Sequence, residues 1–161
     1  MLRRRRRYGG AKYSFETTNI NAIVNATNTQ QTVYTIVPEV TSYGKRKVKN
    51  FTISLCADNT DTPLLCCLVY VPQGTQASAI NTAANTSTQT GELVASMYEP
   101  NQNVITSFVI NAKDTNVTLR KSFLARNLDS GDKIQLIIKN YVVTQDDNIQ
   151  VLGTISYAIK Y

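Results

Sequence analysis

Ile149-Gln150-Val151-Leu152-Gly153-Thr154-Ile155-Ser156-Tyr157-Ala158-Ile159-Lys160 sets Ile149, Val151, Gly153, Ile155, Tyr157 and Ile159 on one face of an extended chain. Gln150, Thr154, Ser156 and Lys160 fall on the other. Successive side chains of a strand point to opposite faces, so this period of two predicts a β-strand that is buried on one side and wet on the other. Such a strand needs neighbours in its sheet and a second layer over its apolar face.

Working back towards the N-terminus, similar runs appear at Lys133–Val143, Val117–Leu124, Val104–Ala112, Glu92–Tyr98, Leu64–Val71, Arg46–Cys56 and Thr32–Val37, with a less regular one over Tyr13–Val24. They are rich in Val, Ile, Thr, Tyr and Phe and separated by turn residues, which predicts an all-β sandwich or barrel. The eight regular runs match an antiparallel eight-stranded jelly roll. Between Val48 and Phe51 the apolar phase slips by one residue, so a bulge is expected at Lys49–Asn50. Asp129-Ser130-Gly131-Asp132 and Asp146-Asp147-Asn148 suit tight reversals, and the second of these predicts that the last two strands form a hairpin. Gln73–Gly91, nearly all small or polar, reads as a long exposed loop.

The chain of 161 residues suits one domain. Of its seventeen Lys and Arg, six (Arg3, Arg4, Arg5, Arg6, Arg7 and Lys12) stand in the first twelve residues, where there is no acid. The remaining eleven bases are matched by eleven acids, so the net charge of +6 belongs to the tail. The chain therefore divides into an arm, residues 1–12, and a neutral body, residues 13–161. Five adjacent arginines repel one another and cannot enter a core, so the arm is expected to be disordered until it meets a polyanion. Each phosphate contact releases counterions without reading sequence, Tyr8 and Tyr13 offer stacking surfaces, and Gly9-Gly10 supplies a flexible joint. Arg3–Arg7 is also the kind of run that nuclear-import receptors read. A second basic cluster, Lys45-Arg46-Lys47-Val48-Lys49, opens a strand; it is either a solvated strand end or a phosphate-facing patch near the arm.

Chemistry is sparse by comparison. There is no histidine, and no Gly-rich phosphate loop or zinc-hydrolase signature occurs. No catalytic residue, metal ligand or cofactor site is assigned, and the expectation is a protein that is not an enzyme. Asp58 with Asp61 and Asp129 with Asp132 read as turn residues ahead of a cation site. Cys56, Cys66 and Cys67 lie in apolar runs and are expected to be buried, reduced thiols. No run approaches the roughly 18 apolar residues of a membrane span, and no apolar segment follows the arginines as a secretory signal requires.

Three segments carry a family likeness: Met1-Leu2-Arg3-Arg4-Arg5-Arg6-Arg7-Tyr8, Tyr43-Gly44-Lys45-Arg46-Lys47-Val48-Lys49, and Arg126-Asn127-Leu128-Asp129-Ser130-Gly131-Asp132-Lys133-Ile134. In these the chain resembles the capsid proteins of small circular single-stranded DNA viruses, the circovirus, nanovirus and related groups that encode their own replication initiator. The resemblance implies a jelly roll that assembles with itself into the smallest icosahedral shell (T=1, about 60 copies), encloses single-stranded DNA and assembles in the host nucleus. Arg3, Arg4, Arg5, Arg6, Arg7, Lys12, Lys45, Arg46, Lys47 and Lys49 would then contact nucleic acid. The alternatives are a coat protein of a small RNA or satellite virus, a cellular β-barrel module with a basic tail, and a β-sandwich surface subunit.

Overall fold

The computed structural model describes residues 12–25, 31–41, 44–58, 63–77, 103–110, 117–140 and 148–161. Among these there is no helix, and nine strands follow one another: β1 Ser14–Asn25, β2 Thr32–Val37, β3 Arg46–Ala57, β4 Leu64–Val71, β5 Val104–Ile110, β6 Thr118–Ser122, β7 Arg126–Leu128, β8 Lys133–Asn140 and β9 Asn148–Lys160. They form two antiparallel sheets, ordered β1-β9-β3-β6 and β2-β8-β4-β5, with β7 also paired to β3. The expected strand Glu92–Tyr98, Arg3–Arg7 and most of the expected loop Gln73–Gly91 lie outside the described residues. The less regular run near Tyr13–Val24 is a full twelve-residue strand.

The first sheet is organised by β9, which pairs with β1 from Asn148 to Ile159 and with β3 on its other side. Ile149, Val151, Ile155, Tyr157 and Ile159 are buried, as their alternation requires. They meet Ile36, Leu64, Cys66, Leu68, Ile134, Leu136 and Ile138 of the second sheet in one core. The expected bulge is present. The β3–β9 register shifts between Lys49 and Thr52, and Asn50 takes φ 56°, a left-handed conformation that asparagine tolerates better than most residues. The extra residue lets both Val48 and Phe51 face the core. It also divides the other side of β3, where β7 pairs with Arg46–Val48 and β6 with Phe51–Leu55.

Apolar residues run through β4 without alternation because this strand is buried on both faces. Leu64, Cys66 and Leu68 point into the sandwich, while Leu65, Cys67, Val69 and Val71 form a second cluster with Ile137 on the opposite face. Burial raises both thiols, Cys66 the more strongly and Cys67 to about 11, so both stay protonated and inert near neutral pH. Cys56 departs from the expectation of a buried thiol. It faces outward from β3, half-buried, with its Sγ 3.5 Å from the Leu152 carbonyl oxygen.

A second correction concerns the C-terminal pair. β8 lies in the second sheet and β9 in the first, so they do not form a hairpin. Each is flanked on both sides within its own sheet, β8 by β2 and β4, β9 by β1 and β3. Turn residues at 146–148 permit a reversal but do not fix where the next strand goes; satisfying both edges of each strand does.

A buried polar turn ties the two sheets together, and a close contact sets the spacing of β9 and β3 within the first sheet. Asp132, buried at the β7–β8 turn, accepts hydrogen bonds from the Tyr70 hydroxyl (2.7 Å), the Asp129 N–H (2.8 Å) and the Gln73 N–H (3.0 Å). Burial pushes its pKa upward, but those three donors and the nearby Arg46 charge prevail and hold the carboxyl below its ordinary range. Tyr70 is driven the other way, to about 12, by burial and by its bond to Asp132. At Gly153, φ is 149° and an added Cβ would strike the Ser54 carbonyl oxygen and come within 2.9 Å of the Leu55 Cα. Only glycine allows β9 to lie this close to β3.

Gly153→Ala is expected to lower unfolding stability by about 3 kcal/mol in chemical denaturation, because backbone rather than a movable side chain blocks the methyl group. Asp132→Asn should cost about 2–3 kcal/mol at neutral pH by leaving buried donors without acceptors. Because the folded pKa of Asp132 lies below the unfolded value of about 3.9, its contribution is present above that value and fades as pH falls through the folded pKa. The stability gap between wild type and Asp132→Asn, followed from pH 7 downward, should therefore narrow on acidification; a constant gap would contradict this assignment.

Candidate nucleic-acid interface

Alternation along the first turns of β3 sorts the basic cluster Lys45-Arg46-Lys47-Val48-Lys49 into two environments. Arg46 and Val48 point inward, Lys47 is exposed, and Lys49 is half-buried on the outer face. Arg46, expected among the phosphate-binding residues, is instead a structural cation with 6% exposure. Its guanidinium donates to the carbonyl oxygens of Pro38 (2.8 Å) and Asp132 (3.0 Å), tying β3 to the segment after β2 and to the β7–β8 turn. A planar fork with several fixed donors suits this role.

Lys45 precedes the strand and lies 3.8 Å from Asp129, with both side chains largely exposed, a contact of little energetic weight. Lys49 holds its Nζ 4.1 Å from the centre of the Tyr13 ring, a cation–π contact. Tyr13 directly precedes β1, and the exposed Lys12 precedes Tyr13. Ser14 sits opposite Ile159, so the chain enters the sheet beside the end of β9. Arg3–Arg7 lie outside the described residues. Their connection to the body nevertheless runs through Lys12 and Tyr13, beside the lysines of β3.

The register adds two lysines that sequence reasoning did not assign. Lys160 of β9 stands directly opposite Lys47, and Lys121 of β6 stands opposite Thr52. Both side chains are exposed. The outward alternation of Lys160 was visible in the sequence, but its neighbour on β3 was not. Among the described carboxylates near this end, Asp129 is taken up by Lys45, and the others face elsewhere. Glu16 turns inward from β1 to accept hydrogen bonds from the Tyr157 and Tyr161 hydroxyls, and Asp132 is buried in the turn. Asp58 stands at the far end of the sheet, accepting from the Gln150 N–H. The arm end of the outer face thus carries concentrated positive charge on a body that is neutral as a whole.

No family model matches the chain, and no curated protein matches it in sequence. A chain in the structure of infectious bursal disease virus, Gx strain, is similar over 93% of this chain at a TM-score of 0.43 and 6% sequence identity. This chain spans 32% of that one, about a third of its length. A likeness that slight defines neither fold nor function.

Proposed function

We propose that this chain is a viral coat protein: a jelly roll that assembles into a T=1 shell of about 60 copies and packages a single-stranded DNA genome with its arginine arm. The strand order carries this. β6 and β7 occupy successive halves of one side of β3, so the nine described strands fill eight positions. Apart from β4–β5 and the split β6–β7, strands that follow one another in the chain lie in opposite sheets. Two four-position sheets linked by repeated crossings are the pattern of a doubled Greek key.

The charge distribution supports the packaging role. A neutral body can pack against copies of itself, while the tail supplies the charge that opposes phosphates. Many arms facing one cavity act together as a multivalent surface, which a single six-charge arm cannot match. Exposed Phe15, Ile23, Leu119 and Phe123 add apolar surface of the sort that contacts between subunits cover. Arg3–Arg7 would serve first as a nuclear-import signal and then as the packaging arm, placing the protein in the host nucleus before the virion.

Light scattering with nuclease treatment tests the proposal on purified protein. Subunits of 17.9 kDa are expected to form a uniform particle of about 1.1 MDa holding nuclease-protected DNA. Protected RNA would replace the DNA assignment with an RNA or satellite virus, and a nucleic-acid-free monomer at every salt concentration would overturn the coat-protein assignment.

A further inference from the structure

We infer that the outer face of the first sheet is itself a single-stranded nucleic-acid track, separate from the arm, with Lys160, Lys47, Lys49 and Lys121 along it and Tyr13 at its edge. The inference rests on the coat-protein proposal only in taking nucleic acid as the polyanion.

The pairing of Lys47 with Lys160 is the first observation. Two like charges directly across an antiparallel pair destabilise a sheet, and among the described residues neither lysine forms an ion pair with a carboxylate. A bound anion would remove the repulsion. The second is the path. From Lys160 the lysines continue to Lys47 on the next strand, to Lys49 two residues on, and across the bulge to the level of Thr52 and Lys121. Outward residues two apart on a strand are separated by about 6.6–6.8 Å, comparable with the repeat of phosphates along an extended single strand. The bulge at Asn50 is what brings Thr52, and with it Lys121, onto the same face as Lys49.

Tyr13 distinguishes this face from a generic anion patch. Its ring has Lys49 against one side and sits only half-buried, where an unpaired base can stack and leave its phosphate to the lysines. A duplex keeps its bases stacked on one another and offers no such partner. Continuity with the arm favours nucleic acid over a sulfated polysaccharide, because Lys12 and Tyr13 lead into the track where β1 begins.

Fluorescence anisotropy with a labelled oligo-dT, at several salt concentrations, tests the track on full-length chain whose arginines are intact. The combined Lys47→Gln, Lys49→Gln and Lys160→Gln variant should show a salt slope shallower by about 2, as expected for three lost contacts to a single strand. Tyr13→Leu should weaken oligo-dT binding roughly tenfold and leave an abasic strand of equal length unaffected. An unchanged slope in the triple variant overturns the inference. Equal binding of heparin and the abasic strand, with Tyr13 dispensable, also overturns it and leaves a polyanion patch. Lysine acetylation of the unmodified protein gives a readout that does not depend on variants folding: oligo-dT should protect Lys47, Lys49 and Lys160 but not Lys133, and uniform labelling would count against the track. None of these assays requires a particle, so failure of assembly and failure of the track are separate results.

Discussion

The insertion of β9 between β1 and β3 is the constraint from which the rest of the structure follows. One strand satisfies its backbone on both sides and presents a continuous apolar face to the second sheet. The close approach at Gly153 sets how near β3 can come, and the bulge at Asn50 returns Phe51 to the core after Val48. Because β9 holds the beginning of β1 and the beginning of β3 at the same end of the sheet, it also fixes where the arm joins the body. That end carries the lysines.

Local sequence therefore does two different jobs within five residues. Arg46 turns inward, where two carbonyl oxygens satisfy its guanidinium and Asp132 stands nearby, while Lys47 and Lys49 turn outward and keep their ammonium groups in reach of solvent. A strand makes this division automatically, since adjacent side chains point to opposite faces. The buried polar group at the turn is fully served by its donors, which is the condition under which an interior charge can be kept. Lys47 and Lys49 have no such internal partners among the described carboxylates.

Much of this was legible in the sequence because it depends on periodicity alone. The strand at Ile149–Lys160, the all-β class and the bulge at Lys49–Asn50 each follow from the phase of apolar residues. What depends on which strand lies beside which was not legible. The hairpin expected across Asp146-Asp147-Asn148 failed because turn residues allow a reversal without choosing a sheet. Arg46 could not be told from Lys47 by composition, since both are bases in one cluster and only the phase relative to Val48 separates them. Lys160 lies 113 positions from Lys47 in the chain, and only the β3–β9 register brings the two together. Cys56 sits in an apolar run, yet the alternation after the bulge turns it outward.

In the proposed coat protein, folding belongs to the body and genome capture to the cationic segments, with the arm foremost. Removal of residues 1–8 tests it most directly, through thermal unfolding and the 260/280 nm absorbance ratio of the purified protein. The account predicts an unchanged, cooperative unfolding midpoint together with a clear fall in bound nucleic acid. Loss of cooperative unfolding, or an undiminished nucleic-acid content, would contradict it.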